Sequence, residues 1–167
     1  MRFFLLILVL IMKKLLFALA ALIALAACNF NRLYIETRSA AEEVAFEEAK
    51  NYFFKNDQTI PASPKITSEE EFHKLFGMAT TMGKDGKPTP IDFSRQFVLA
   101  IVHPVTDVAT EIEPVKVMTK RDTLFYDYEL RVGEKQSFSI QPVSIIILDK
   151  KYSNREVVLS SLTAPKE

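Results

Sequence analysis

FVLAIV, residues 97–102, is the stretch that decides the fold, because six consecutive apolar residues make up its whole length. A strand exposed on one face alternates apolar and polar side chains, whereas a strand covered on both faces is apolar throughout. The run has the length of a strand and is followed by Pro104, which lacks the N–H group that a sheet ladder needs. We therefore predict a central strand at residues 97–102, around which the other elements are arranged.

Two stretches that follow it have the character of strands. Residues 111–119, EIEPVKVMT, predict a strand in which Pro114 marks an edge position or a bulge. Residues 123–132, TLFYDYELRV, alternate apolar and polar side chains, which predicts one buried and one solvated face. We expect tight turns at residues 120–122 and 133–135 to bound this second strand.

The apolar pattern of residues 137–150, SFSIQPVSIIILDK, changes phase in the middle of the stretch. Side chains alternate between the two faces of a strand, so a change of phase requires an extra residue. We therefore predict a β-bulge at Gln141 and Pro142. Residues 155–162, REVVLSSL, predict the final strand.

The clearest helical signal precedes these strands. Residues 67–79, TSEEEFHKLFGMA, begin with hydroxyl and carboxylate side chains at the spacing of a capping box. Phe72, Leu75 and Phe76 recur at helical spacing and predict one buried face. Gly77 is the expected helix terminator.

In residues 41–51, alanine and glutamate favour a second helix, and the aromatic residues 52–54 favour a short strand after it. Five strands in succession, preceded by one or two helices, indicate an α+β fold. In this fold an antiparallel β meander curls into a sandwich or partial barrel. Residues 41–167 have the length of a single globular domain.

The N-terminal residues have the layout of a secretory signal. Lys13 and Lys14 precede LLFALAALIALAAC, residues 15–28, which ends with small side chains before Cys28, the only cysteine of the chain. The last four residues, Leu-Ala-Ala-Cys, resemble the lipobox of bacterial lipoproteins. The resemblance implies that residues 1–27 are a signal peptide and that lipid on Cys28, with three acyl chains, anchors the protein to a membrane.

Two alternatives concern the same segment. An uncleaved transmembrane helix needs about 20 apolar residues, and Lys13 and Lys14 would lie in the middle of such a span, so cleavage is favoured. Translation could instead start at Met12, because Met12 to Cys28 is by itself a complete signal. Residues 28–40 show no clear periodicity and are predicted to form a lipidated tether.

The charge of the chain argues against nucleic acid as a partner. Without residues 1–27 the formal net charge is −3, and no cluster of basic residues suggests a phosphate-binding surface. With Cys28 modified by lipid, no cysteine is left for a disulfide. The core alone must then stabilise the exported domain.

Candidate catalytic and metal-ligating residues are few. Neither His73 nor His103 has a second ligand at metal-binding spacing, so the sequence predicts no metal site and no cofactor. Asp92, Ser94 and His103 are close enough in sequence to suggest a hydrolase triad, although the nucleophile-elbow motif is absent and such residues are common in turns. A small-molecule site or hydrolase beside Ser94 and His103, with residues 78–90 as a lid, stays as the alternative.

Three other features have structural explanations that we favour. GKDGKP, residues 83–88, has the glycines and lysines of a phosphate loop, but the prolines around it exclude the helix that such a loop needs. Tyr126 and Tyr128 fall on the apolar face of their strand and are expected in the core rather than in a binding surface. The acidic segment 42–48 is expected to be a solvated face rather than a cation site.

ITSEEEFHKLFG (66–77), PIDFSRQFVLAIV (90–102) and GEKQSFSIQPVSIIILDKKY (133–152) resemble small uncharacterised lipoproteins of Bacteroides-type bacteria. They are also distantly similar to the C-terminal domain of the PrcB-like family of protease-complex subunits. In that family valine or isoleucine followed by Asp-Phe-Ser opens a central strand, and residues 91–94 match. Residues 103–114 replace the family's Gly-Gly-Tyr segment. The resemblance implies a fold and, by analogy alone, a role beside a protease, and it assigns no catalytic residue.

These observations favour a non-enzymatic binding or protein-interaction module over an enzyme. Cys28 would anchor it in the cell envelope. No acidic cluster directly follows Cys28 to suggest export to the cell surface, which favours an orientation toward the periplasm. The expected partner is another protein.

The lipobox generates a direct test. We expect a clickable fatty acid supplied to the bacterium to label this chain, because the acyl groups are attached at Cys28. Cys28→Ala should abolish both the label and the removal of residues 1–27, as measured by in-gel fluorescence and intact mass. An unlabelled wild-type chain would contradict the assignment.

Overall fold

A computed structural model describes residues 41–79 and 86–163. These residues belong to one compact unit that begins at Ala41. The predicted signal peptide, the tether and Cys28 lie outside them, as does the first half of the 83–88 loop. Within the described part of the chain, no helix is long and apolar enough to cross a membrane.

The described residues form ten strands, one α-helix (α1) and one short 3₁₀ turn. In chain order they are β1 Glu42–Glu43, β2 Glu47–Glu48, β3 Tyr52–Phe54, β4 Lys65–Ile66, α1 Glu69–Leu75, β5 Phe76–Met78, β6 Gln96–Val102, β7 Thr106–Lys120, β8 Thr123–Ile140, β9 Val143–Asp149, the 3₁₀ turn Lys150–Tyr152, and β10 Glu156–Thr163.

The strands form two four-stranded sheets and one two-stranded sheet. The order β2-β9-β6-β4 makes what we call the central sheet, and β1-β7-β8-β10 makes the outer sheet. All pairs are antiparallel except β8 and β10, which run parallel from Thr123 opposite Glu156 to Leu130 opposite Thr163. β3 and β5 pair separately.

The predicted central strand is confirmed as β6, which lies between β9 and β4. Phe97 and Leu99 belong to a buried cluster that includes Val117, Leu124 and Tyr126 of the outer sheet. Val98 and Ala100 point to the opposite face, into a second cluster. The partners of that second cluster include Phe54, Phe72, Leu75 and Phe76. The continuous apolar run therefore reflects burial of both faces of the strand.

The predicted helix is confirmed as α1, including its cap. The Ser68 hydroxyl accepts a hydrogen bond from the Glu71 N–H at 3.3 Å, and three glutamates occupy the first turn. Phe72 and Leu75 are buried as predicted, and the Phe72 ring stacks on Phe76 with ring centroids 5.0 Å apart. The helix therefore packs on the central sheet through this apolar face.

Gly77 has a different role from the one predicted. The helix ends at Leu75, and Phe76 already has extended backbone. Gly77 lies inside β5, directly opposite Phe53 of β3, and a Cβ atom at Gly77 would overlap the Phe53 ring. The glycine is thus a packing site for an aromatic ring and does not terminate the helix.

The helix predicted at residues 41–51 is wrong. The chain there pairs first with β7 as β1 and then with β9 as β2, so it passes from the outer sheet to the central sheet. Val44, between them, is buried in the cluster shared by the two sheets. This burial outweighs the helix propensity of alanine and glutamate, because propensity is a weak preference beside tertiary packing. The predicted strand at residues 52–54 is confirmed as β3.

Two predictions about β8 need correction. The strand does not end at the turn expected at residues 133–135 but continues to Ile140. Its pairing with β7 shifts register on both sides of the Val108–Lys135 pair, and the shift between Val108 and Thr110 spans Gly133. An isolated glycine inside a strand is typical of a bulge, and that is its role here.

The change of phase at Gln141 and Pro142 has a cause other than the predicted bulge. β8 ends at Ile140 in the outer sheet, and β9 begins at Val143 in the central sheet. The two residues therefore carry the chain from one sheet to the other. The bulge predicted at Pro114 is confirmed by the register shift between Pro114 and Lys116.

The fold is mostly β, with a sandwich-like packing of the outer sheet on the central sheet. The two sheets remain separate rather than closing into a barrel. The strands do not form a simple meander, because the chain changes sheet between β6 and β7, between β8 and β9, and between β9 and β10. α1 is the single α-helix among the described residues.

The buried core generates a stability prediction. Phe97→Ala should lower the free energy of unfolding by about 3–5 kcal/mol, because Phe97 is fully buried and its removal leaves a cavity. Phe138→Ala is the matched control. Its ring is 58% exposed on the distal part of β8, so the change should stay within about 0.5 kcal/mol. Urea unfolding followed by circular dichroism measures both, and equal losses would contradict this placement of the core.

Candidate functional site

Asp92 and Ser94 form a local turn immediately before β6. The Ser94 hydroxyl donates to Asp92 Oδ1 at 2.5 Å, and Arg95 Nε donates to Asp92 Oδ2 at 2.7 Å. The Asp92 carbonyl accepts hydrogen bonds from the N–H groups of Arg95 and Gln96. The Ser94 hydrogen bond, with the contribution of Arg95, lowers the pKa of Asp92 to about 2. The carboxylate is therefore committed to ordering the turn.

His103 lies at the opposite end of the same strand. Its Nδ1 lies 3.0 Å from the Pro104 carbonyl oxygen, and its backbone N–H donates to the Pro142 carbonyl. Since β6 spans seven residues at about 3.3 Å each, roughly 20 Å separates His103 from Ser94. A nucleophile and its base must lie within hydrogen-bond reach. The structure therefore does not bring Ser94 and His103 together as a catalytic pair.

The other candidates have structural roles. His73 Nε2 lies 3.5 Å from Glu69 Oε1, one helical turn away on α1. Among the described residues, no three side chains of the metal-ligating types are grouped so that they could hold an ion. Tyr126 is fully buried, which confirms its core assignment, and Tyr128 packs against the same cluster. Burial raises the pKa of Tyr126 to about 12.

The described residues enclose several open depressions. One of about 340 Å³ lies near the His103 end of β6, between Pro142 and Ser144 at the start of β9 and Thr110 to Ile112 of the outer sheet, and His103 does not line it. Another, about 450 Å³, lies beside α1 between Tyr52, Phe72 and Phe93, and Glu69 and Lys87 are also among its lining residues. This depression includes part of the predicted lid but neither Ser94 nor His103.

The candidate site is the free edge of the outer sheet, which is formed by strand β10. Each of the two four-stranded sheets has two terminal strands, and three of these four, β1, β2 and β4, are only two residues long. β10 is eight residues long and pairs with β8 along one edge. No described strand pairs with its other edge. Backbone N–H and C=O groups along that edge are available to a further strand.

The side chains of β10 lack the protection usual for an edge strand. Natural edges are guarded by lysine, proline, bulges or short length. β10 reads EVVLSSLT, with one charge at its first residue, no proline, and a regular register against β8. Val158 is 46% exposed and Leu162 is 44% exposed. They lie on the same face, since side chains two and four positions apart share a face.

Two other long stretches of unpaired edge are guarded. One is β8 beyond Leu130, where Arg131, Glu134 and Lys135 supply charges and Gly133 lies at a bulge. The other lies along β7. β1 pairs only with Met118 and Thr119, so the rest of β7 has no partner on that side among the described strands. Pro114 lies in this stretch, and the pairing of β7 with β8 shifts register three times. Proline and bulges both disfavour the addition of a strand. β10 is therefore the edge best suited to pairing.

The start of β10 is fixed by contacts to the β7–β8 turn. The Arg155 guanidinium donates to the Thr119 hydroxyl and, at 2.7 Å, to the Arg121 carbonyl. Arg121 has a positive φ of 54°, which the tight turn requires. The Glu156 N–H donates to the Asp122 carbonyl at 2.8 Å. These contacts set the register of β10 on β8 and hold the edge in place.

The sequence predicts β10 as a strand but does not show that it is an edge strand. The signal was present in residues 156–163, which alternate weakly and carry a single charge. What the sequence does not show is the parallel pairing with β8, because the intervening β9 belongs to the other sheet. The position of β10 in the sheet order was the missing information.

No protein-family model, curated protein or solved structure matches this chain. The resemblance to the PrcB-like family therefore stays a prediction, and the candidate site rests on the geometry of the described residues.

The Asp92 turn generates a prediction about pH. The folded-state pKa of about 2 lies below the ordinary value of 3.8, so the charged carboxylate stabilises the folded protein above about pH 4. This contribution is lost as the pH falls through about 2. Asp92→Asn should therefore lower the free energy of unfolding at pH 7, with a difference from wild type that shrinks toward pH 2.

Ser94→Ala should reproduce part of this effect, because the Ser94 hydroxyl is the largest cause of the lowered pKa of Asp92. Ser153→Ala is the control, since its hydroxyl contacts no carboxylate among the described residues. Urea unfolding at several pH values measures all three variants. A Ser94→Ala difference independent of pH would contradict the role given to Asp92.

Proposed function

We propose that this protein is a lipid-anchored, non-enzymatic binding module of a bacterial cell envelope that binds a protein partner by strand addition at β10. The observation that carries the proposal is an eight-residue edge strand with no described partner and none of the usual protection. In strand addition, backbone hydrogen bonds supply affinity and alternate side chains supply specificity. The partner contributes an extended segment.

The chemistry of the edge defines that segment. Val158 and Leu162 project on one face of β10, and Phe125 lies beside Val158 on β8. Phe125 is 37% exposed, so the three side chains offer an apolar surface next to the free edge. A partner strand with apolar side chains at alternate positions would extend this surface. Cross-strand apolar pairs each stabilise a sheet by up to about 1 kcal/mol.

The predicted anchor supports a binding role. Residues 28–40 would give a tether of 13 residues, which spans up to about 45 Å when fully extended. Lipid on Cys28 would confine the module to the membrane surface, and the tether would let β10 reach partners within that distance. Confinement raises the effective concentration of a partner in the same compartment. The proposal includes an orientation of the domain toward the periplasm.

The separation of Ser94 from His103 supports a non-enzymatic role over the hydrolase alternative. The Ser94 hydroxyl donates to Asp92, and the His103 ring lies against its own strand end. The two side chains therefore lack the mutual geometry that a triad requires.

Photocrosslinking in intact cells tests the proposal. A photoreactive amino acid at Val158 or Leu162 should capture a protein partner, and one at Val132 should not. Val132 is the matched control because it is a valine, is 60% exposed, and lies on β8 beyond the part paired with β10. Mass spectrometry would then identify the captured segment.

Val158→Lys should abolish the crosslink from Leu162, because a lysine on an edge disfavours pairing. Val132→Lys should leave it unchanged. Equal capture from positions 158 and 132, or capture insensitive to Val158→Lys, would overturn strand addition at β10.

A further inference from the structure

We infer that the strand received by β10 is β10 of a second copy of this chain, so that the two copies pair antiparallel about a two-fold axis. This inference rests on the proposed function and names its partner. It follows from the parity, the side-chain sequence and the charge of the edge strand, together with the protection of the other long unpaired edges on β7 and β8.

Parity fixes the allowed registers. In an antiparallel pair, residues directly opposite each other project on the same face of the sheet. A two-fold axis perpendicular to the sheet keeps each face common to both copies. Val158, Ser160 and Leu162 share a face, so they must meet residues of the same face in the second copy. The axis therefore lies between the two strands, level with one residue of β10, so that this residue is directly opposite its own copy.

The side chains select the register centred on Ser160. In that register Val158 lies opposite Leu162 of the second copy, and Leu162 lies opposite Val158 of the second copy. Two apolar pairs form at once, with the small hydroxyl side chains of the two Ser160 residues between them. Shifting the axis to Leu159 or Ser161 leaves Val158 and Leu162 opposite other residues, so both Val158–Leu162 pairs are lost. Shifting it to Val158 sets Val158 opposite itself but leaves Leu162 without a partner in β10, and it shortens the ladder between the two β10 strands from seven residues to five.

Charge places no obstacle in this register. Glu156 is the single charged residue of β10 and lies at its first position. Antiparallel pairing puts the two Glu156 side chains at opposite ends of the new ladder, so like charges do not meet. A parallel arrangement would set the two glutamates side by side, which is destabilising.

The edges also explain why association stops at two copies. Pairing through β10 uses the same surface on both copies, so the contact is isologous and closed. The outer sheets then join into one continuous eight-stranded sheet, whose two ends are β1 strands of two residues each. The unpaired edge of β7 carries Pro114 and register shifts. Further growth along the sheet is therefore disfavoured.

Cysteine crosslinking tests the register. In the full chain expressed in its membrane, Ser160→Cys should form an intermolecular disulfide under mild oxidation. Residues directly opposite in an antiparallel pair have Cα atoms about 4.5–5.5 Å apart, within the range of a disulfide. Val158→Cys alone should not crosslink, because the two copies of residue 158 are displaced by four positions, roughly 13 Å along the strands.

A mixture of chains carrying Val158→Cys and Leu162→Cys should crosslink to each other. The wild-type chain is the control for any disulfide through Cys28. Adding Val132→Lys to Ser160→Cys should leave the disulfide yield unchanged, whereas adding Val158→Lys should reduce it roughly tenfold, because both apolar pairs are lost.

The outcomes separate this inference from the proposed function. If photoreactive residues at positions 158 and 162 capture a different protein, and Ser160→Cys forms no disulfide, strand addition stands and the second copy is excluded. If positions 158 and 162 capture neither another protein nor a second copy, both proposals fail. A Val158→Cys disulfide as strong as that of Ser160→Cys would overturn the register.

Discussion

The structure depends on the burial of both faces of the central sheet. β6 and β9 are adjacent, and their side chains alternate between two apolar clusters. Water must be excluded from both clusters, so the chain has to provide two covers for one sheet. The outer sheet supplies one cover, and α1 with the β3–β5 pair supplies the other. The remaining elements are arranged to place these covers.

This requirement explains the order of the strands. A cover on each face cannot be built by a simple meander, because successive strands of a meander stay in one sheet. The chain instead changes sheet through Val44, at Gln141 and Pro142, and again between β9 and β10. The last change returns β10 to the outer sheet beside β8, parallel to it. The free edge of β10 is thus a consequence of the way the core is covered.

Many of the strands and the helix could be predicted from the sequence, whereas the sheet to which each strand belongs could not, for physical reasons. Residues 97–102 and the cap of α1 are local patterns with few alternatives, and both were predicted correctly. Sheet membership was not, because a strand with an alternating pattern fits either sheet equally well. The helix propensity of residues 41–51 predicts a helix there, but the burial of Val44 between two short strands stabilises the chain more than helix propensity does. The sequence predicts a turn at Gly133, because a turn and a bulge favour the same residue.

The candidate site residues show the same contrast between local sequence patterns, which can be predicted, and long-range pairing, which cannot. Ser94 and His103 are nine positions apart in sequence, and a short separation suggested proximity. The strand β6 lies between them and holds the two residues far apart in space, because each residue of an extended strand adds about 3.3 Å. Conversely, Leu124 and Val157 are far apart in sequence yet directly paired. Proximity in a β protein follows register, which depends on long-range pairing that no local pattern encodes.

The edge of β10 is also held in the conformation that the proposed strand addition requires. Arg155 holds the start of the strand on the β7–β8 turn through Thr119 and the Arg121 carbonyl. The ladder to β8 holds the rest of the strand in extended form. A receiving strand that is already extended loses little conformational entropy when another strand is added, and ordering costs of this kind strongly affect affinity. In the proposed strand addition, only the added strand would lose conformational entropy. If that strand is β10 of a second copy, it is already extended, so this entropy loss is small as well.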